Sequence, residues 1–113
     1  MLYSYTEDDA GGNQVGLTGK QKRYLRSLAH HLTPVVQVGK AGITGTLLEQ
    51  VDLALEAHEL IKVSVLETSP QKRDEVGELI SEELSAHWVQ AIGKLVVFYR
   101  ESSENPTIQL PRA

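Results

Sequence analysis

Segments with helical and strand-like apolar spacing alternate between residues 17 and 100, and this alternation limits the possible fold more than any other feature. Helical segments have apolar residues three and four positions apart, whereas strand segments are short runs rich in β-branched residues. The resulting order of elements is α-β-α-β-α-β-β. A strand–helix–strand unit needs a right-handed crossover onto a parallel neighbour, and two strands joined by a tight turn are antiparallel. We therefore expect an α/β (α+β two-layer) domain with a mixed four-stranded sheet.

Three helix starts are indicated by residues whose side chains accept hydrogen bonds from the first helical turn. Thr18 has a glutamine three residues later and Thr46 has a glutamate at the same spacing, so each pair suits a capping box. Ser69 precedes Pro70, which joins a good N-cap residue to the residue favoured at the first helical position. The helices are therefore expected at about 20–31, at about 46–57 and from 70 onward.

Four strands are expected at about 35–38, 60–66, 88–92 and 95–99. In the second run, isoleucine and valine alternate with Lys62 and Ser64, which indicates one apolar and one polar face. Gly93-Lys94 separates the last two runs and suits a type II′ hairpin turn. Trp88, at the start of a strand, is expected in the core rather than stacked on a base.

The charged residues are strongly segregated along the chain. Eleven Lys and Arg against 15 Asp and Glu give a net charge of −4, which by itself disfavours a nucleic-acid partner. Residues 17–45, however, carry five basic residues and no acidic one, whereas residues 46–62 have a net charge of −3. The five are Lys20, Lys22, Arg23, Arg26 and Lys40. This asymmetry indicates a candidate phosphate-binding surface, with an ordinary solvated helix face as the alternative.

A glycine-bounded loop, Gly39-Lys40-Ala41-Gly42, lies between a predicted strand and a predicted helix. Glycine permits positive φ and leaves no side chain in the way of a close ligand. Exposed amides beside a helix N-terminus and a lysine suit a phosphodiester backbone, and KH modules bind nucleic acid with a Gly-x-x-Gly loop. The pattern alone is also typical of a plain tight turn, so it gains weight only beside the basic segment.

Four blocks of sequence, in order and in register, resemble the CRM domain (chloroplast RNA splicing and ribosome maturation). They are LTGKQKRYLR at 17–26, VGKAGIT at 38–44, HELIKV at 58–63, and VQAIG at 89–93 together with Tyr99-Arg100. The blocks cover about residues 17–100. The chain is similar to the bacterial stand-alone members of that family, of the YhbY/YqeI type.

The resemblance implies an RNA-binding domain folded like the C-terminal domain of translation initiation factor three. It also implies association with ribosomal RNA in precursors of the large ribosomal subunit. The family's loop corresponds to residues 39–42 and its basic helix to the basic residues of 20–26. The expected organisation is a flexible arm at 1–16, the RNA-binding domain at 17–100 and an extended tail at 101–113, with Ile108 and Leu110 against the body.

Three further basic residues are candidate RNA contacts because they lie on or beside strands: Lys62, Lys94 and Arg100. The alternative for them is charge at a solvated strand edge. A second function also remains open at this point. The acidic helices two and three would then dock a basic ribosomal protein, and the chain would act as an adaptor.

Several function classes are disfavoured by missing motifs. The chain has no cysteine, which excludes disulfides and thiolate metal sites. Its serines lack a Gly-x-Ser-x-Gly elbow, its loop lacks the P-loop frame, and its four histidines lack metal-ligand spacing. No apolar run is long enough to span a bilayer. We therefore expect a cytoplasmic protein that is not an enzyme and needs no cofactor, metal or membrane.

Overall fold

The computed structural model describes residues 16–113, and within them it contains three helices and four strands. In chain order these are α1 (Gly19–Ala29), β1 (Pro34–Val38), α2 (Gly45–His58), β2 (Leu60–Val65), α3 (Arg73–Leu84), β3 (His87–Ile92) and β4 (Leu95–Tyr99). The predicted order of elements is confirmed for this part of the chain. None of these helices is both long and apolar enough to cross a membrane. The arm predicted at 1–16 lies, except for Gly16, outside the described residues.

The four strands form one mixed sheet in the order β1-β2-β4-β3. β1 and β2 are parallel and are connected through α2, whereas β4 is antiparallel to both β2 and β3. In the β3–β4 turn, Gly93 has a φ of 57° and Lys94 is not among the residues with positive φ, as the predicted type II′ turn requires. The predicted mixed four-stranded sheet is confirmed.

The sheet buries a separate apolar cluster on each of its faces. Val63 and Phe98 belong to the cluster under α2 and α3, whereas Val97 and Tyr99 belong to the cluster under α1. Successive residues of a strand point to opposite faces, so the two clusters alternate along β4. Because α1 lies opposite α2 and α3, the domain has one layer more than the two expected from the sequence.

The helix starts follow the prediction at α1 and differ from it at α2. The capping box of Thr18 and Gln21 is present, with hydrogen bonds of 3.0 and 3.1 Å. The N-cap of α2 is Thr44, whose hydroxyl accepts a hydrogen bond from Leu47 N at 3.1 Å. The prediction of Thr46 as the cap is wrong, because Thr44 has the extended backbone that an N-cap needs and Thr46 lies inside the first turn.

The start of α3 also differs from the prediction, since the helix begins at Arg73 and not at Pro70. The Ser69 hydroxyl accepts a hydrogen bond from Gln71 N at 3.2 Å and is therefore used within a turn that precedes the helix. Glu75 caps the helix instead, because its carboxylate accepts the backbone N–H just before the first turn at 2.9 Å.

Two carboxylates at the C-terminal end of α2 hold the segment that follows β4. Glu59, only 1 % exposed, accepts hydrogen bonds from three backbone N–H groups between residues 102 and 108, at 2.8–2.9 Å. Burial raises the pKa of Glu59, but these hydrogen bonds outweigh burial and hold its pKa below the ordinary value. Glu56 accepts further N–H and hydroxyl groups of the same segment. Ile108 and Leu110 pack against the cluster under α1, as expected from the sequence.

Candidate nucleic-acid interface

Three connections meet at one end of the sheet, which we call the loop end. They are the loop after β1, the segment between β2 and α3, and the β3–β4 turn. Leu66 N donates to Val38 O at 2.9 Å, and Val65 N donates to Lys94 O at 2.8 Å, so backbone hydrogen bonds tie the three together. Only β2 separates β1 from the hairpin, which places the loop after β1 about 10 Å from β4.

The Gly-x-x-Gly loop at 39–42 is a tight turn closed by a hydrogen bond from Gly42 N to Gly39 O at 2.9 Å. Lys40 and Ala41 are exposed at its tip, and their N–H groups make no hydrogen bond within residues 16–113. α2 begins at Gly45, so the positive end of its helix dipole lies beside the loop. The loop therefore offers an anion two backbone donors, one ammonium group and a helix N-terminus.

The two glycines of this loop have different structural roles. Gly42 has a φ of +73°, and a Cβ added there would lie 2.5 Å from Gln71 Oε1 and 2.7 Å from Pro70 Cγ. A Cβ at Gly39 would lie 3.7 Å from Leu66 Cδ1, which is ordinary van der Waals contact. Only Gly42 is therefore required by the fold of the loop.

The basic residues of α1 spread over an arc of about 160° around the helix. At 100° per residue, Lys22, Arg23 and Arg26 lie within about 100° of one another, and we call these three residues the α1 stripe. Lys20 continues the arc about 60° beyond Arg23 and lies about 120° from Arg26. It is also near the start of α1, where Leu17 joins the same cluster as Tyr99, far from the loop end.

Stability of the helix explains only part of the α1 stripe. Arg26 lies in the last turn, where a cation is favourable, but Lys22 and Arg23 lie near the N-terminus, where a cation costs about 0.3–1 kcal/mol and the first turn holds no acidic residue. Arg23 and Arg26 are exposed and form no ion pair with any residue between 16 and 113. Arg23 and Arg26 are therefore available to an external anion.

A groove of about 700 Å³ lies on the α1 face of the sheet, between α1 and the β3–β4 hairpin. It is lined by Arg26 from α1, Lys62 from β2 and Lys94 from the hairpin turn, and by no Asp or Glu among the described residues. The Lys62 ammonium donates to Leu32 O at 2.9 Å, which uses one of its three N–H groups. The structure thus brings three of the predicted cations together, next to the loop end.

Arg100 is not brought to these groups. It follows β4 at the opposite end of the sheet, where its guanidinium donates to Asp52 Oδ1 at 2.8 Å and to Leu84 O at 3.0 Å. Its side chain is 21 % exposed and links α2 to the end of α3. Arg100 therefore has a structural role and lies outside the candidate interface.

Three residues that were not binding candidates in the sequence also line the groove: His30, Gln90 and Ile92. Gln90 pairs with Val97, and Val97 pairs with Lys62 on its other side, so the three form one row across the sheet. Alternation within β3 places Gln90 and Ile92 on the same face. Only the register of β3 on β4 shows that this face also carries Lys62, and the sequence does not reveal that register.

The mixed sheet, with a glycine-bounded loop and a cationic groove at one end, defines a small α/β domain with a cationic end. The sequence profile of the CRS1 / YhbY (CRM) domain matches residues 17–100. The chain therefore belongs to this family, as the four sequence blocks predicted.

Relatives of the chain agree with this assignment. It is 52% identical over 95 residues to "Probable RNA-binding protein YqeI" of Bacillus subtilis (strain 168), covering 84% of this chain and 99% of that protein. It is 45% identical over 96 residues to a Haemophilus influenzae protein named "RNA-binding protein", covering 85% and 96% of the two chains. The solution structure of SAV1595 from Staphylococcus aureus superimposes with a TM-score of 0.71 at 52% identity, covering 84% of this chain and 99% of that one.

Proposed function

We propose that the protein binds RNA with the loop end of its sheet and the adjoining α1 face. The observation that carries this proposal is the convergence of cations there. Lys40 at the loop tip, Arg26 on α1 and Lys94 in the hairpin turn are exposed, and none pairs with an acid within residues 16–113. Two relatives that match this chain over nearly their whole length are named as RNA-binding proteins, which supports RNA as the anion.

The phosphates of the RNA would bind the exposed amides of the 39–42 loop, the Lys40 ammonium and the α1 stripe. Such contacts position the backbone without reading sequence. Because each neutralised phosphate releases counterions, the affinity falls steeply as salt is raised. Selectivity then depends on RNA shape and on unpaired bases.

We further propose that the RNA is ribosomal and is bound in precursors of the large ribosomal subunit, in the cytoplasm and without catalysis. The resemblance to CRM domains of the YhbY/YqeI type supports this. Sedimentation of a cell lysate on a sucrose gradient tests it: the protein is expected with large-subunit precursors and is expected to leave that fraction after RNase treatment. Co-sedimentation that survives RNase would refute an RNA-mediated association.

The adaptor alternative, docking of a basic protein on the acidic helices two and three, is weakened at the first of these helices and keeps the exposed acids of α3. Of the four acidic residues between 46 and 62, three are engaged within the chain. Asp52 binds Arg100, and Glu56 and Glu59 hold the segment after β4. A basic partner protein would have to displace these contacts to reach them.

A salt titration of RNA binding tests the site. Wild type is compared with Lys40→Glu, with Arg26→Glu and with Arg112→Glu, which makes the same charge change on the exposed tail. The first two variants are expected to lose about tenfold in affinity and about one unit of the slope of log K against log salt. Arg112→Glu is expected to match wild type. Equal affinity of all four proteins would refute the site.

A further inference from the structure

The groove between α1 and the β3–β4 hairpin contains more than phosphate-binding charge. Ile92 is 56 % exposed at its edge, and the exposed His30 ring lines the opposite, α1 side. A side-chain amide, Gln90, lies on its floor in the same row across the sheet as Lys62. An apolar group, a flat ring and an amide are not needed to hold a phosphate chain.

These groups match the parts of one unpaired nucleotide. Unpaired RNA bases stack on flat side chains, histidine included, and are read by hydrogen bonds along their edges. A glutamine amide has both a donor and an acceptor, so it can pair with two adjacent atoms of a base edge. The volume of about 700 Å³ is within the range of small-ligand pockets and exceeds what a single base needs.

We propose that this groove holds one unpaired nucleotide of the bound RNA. Its base packs against Ile92 and His30, its edge is read by Gln90, and its flanking phosphates bind Arg26 and Lys94. This rests on the proposed RNA binding and adds base selectivity to it. The phosphate-binding loop at 39–42 would then set affinity, whereas the groove would set which base is accepted.

The first experiment is an NMR titration of the full chain with each of the four nucleoside 5′-monophosphates. The side-chain amide of Gln90 and the backbone amides of Ile92 and Lys94 are expected to shift, with different amplitudes for the four bases. Shifts confined to the 39–42 loop, or no shifts at all from a protein that binds RNA, would overturn the proposal.

The second experiment measures anisotropy with labelled A₈, C₈ and U₈ oligonucleotides for wild type, Gln90→Leu and Gln50→Leu. Gln50 is an exposed residue of α2, on the other face of the sheet. Gln90→Leu is expected to reduce the preference for the best oligonucleotide by about tenfold. Gln50→Leu is expected to keep it. An unchanged preference in Gln90→Leu, or a wild type that binds all three equally, would overturn the groove proposal.

The failure of this inference is distinguishable from failure of the proposed function. If wild type binds none of the RNAs at low salt, the proposed function itself is refuted. If wild type and Gln90→Leu bind alike while Lys40→Glu is weakened, RNA binding stands and only the nucleotide groove is refuted.

Discussion

Replacing the two glycines of the 39–42 loop by alanine, one at a time, separates what the fold requires from what binding requires. At Gly42 a left-handed backbone costs a non-glycine residue about 1–2 kcal/mol. The new Cβ would also displace Gln71, whose side-chain oxygen accepts the N–H of Ile43 at 3.1 Å, and the loss of that bond costs about 1 kcal/mol. We therefore expect Gly42→Ala to lower the free energy of unfolding by about 2–3 kcal/mol.

Gly39→Ala is expected to behave differently. Its Cβ would meet only Leu66 Cδ1, at an ordinary 3.7 Å, and its φ lies outside the left-handed region. Alanine also restricts the unfolded chain, so stability is expected to be unchanged or higher by up to about 1 kcal/mol. Because the new methyl group points towards Leu66, we expect the RNA affinity of Gly39→Ala to stay within about twofold of wild type, a smaller loss than a single missing phosphate contact causes.

The assay combines urea unfolding with RNA binding. Trp88 packs beside Gly77 against the cluster under α2 and α3, so its fluorescence reports unfolding of the core. Linear extrapolation of the transition gives the free energies. Binding is measured by anisotropy at a temperature where both variants are folded.

Two results would refute this reasoning. Equal stabilities of the two variants would show that the conformation and packing of Gly42 do not set the turn. A Gly39→Ala protein that is as stable as wild type but has lost its RNA affinity would show that the ligand approaches the backbone at position 39 itself, and not only at the loop tip.

Three further outcomes are expected. Glu59→Gln is expected to lower the free energy of unfolding at neutral pH by about 2–3 kcal/mol. The pKa of Glu59 is lowered in the folded state, so its contribution to the free energy of unfolding is present above the unfolded value of 4.5 and is lost as the pH falls through the folded pKa. Urea titrations at several pH values should therefore give free energies of unfolding for wild type and Glu59→Gln that converge on acidification. Arg100→Met is expected to lower stability by about 1–3 kcal/mol, since it leaves the carboxylate of Asp52 and the partly buried carbonyl of Leu84 without their donor. The RNA affinity of the folded protein is expected to be unchanged in the same binding assay. Removing residues 1–16, which carry three acidic residues and no basic one, is expected to leave specific RNA binding intact and to raise non-specific binding slightly, and a loss of specific binding would contradict this.

The order of elements was predictable because the spacing of apolar residues within each segment distinguishes helices from strands. Alternation in β2 correctly placed Val63 and Lys62 on opposite faces, and Gly93-Lys94 correctly identified the hairpin turn. The helix starts were less predictable, because several nearby side chains compete for the cap. Thr44 and Thr46 offer the same hydroxyl, and only the path of the chain after Gly42 decides between them.

The site was predictable only in part, for a different reason. The cations of the 39–42 loop and of α1 are clustered in the sequence, so charge segregation identified them. Gln90 and Ile92 are brought to Lys62 by strand register, which depends on the whole sheet. Arg100 shows the opposite case, because a basic residue beside a strand is equally compatible with an ion pair within the chain.

The distribution of acidic residues explains how a chain of net charge −4 can present a cationic end. Three acids in or directly after α2 are used within the chain, at Asp52, Glu56 and Glu59. Exposed acids remain on α3, at Glu78 and at 82–83, but α3 lies on the face opposite α1. A phosphate chain therefore meets repulsion on the α2–α3 face and attraction on the α1 face. The net charge reports the sum over both faces, whereas the proposed binding would depend on the face that carries the groove and the α1 stripe.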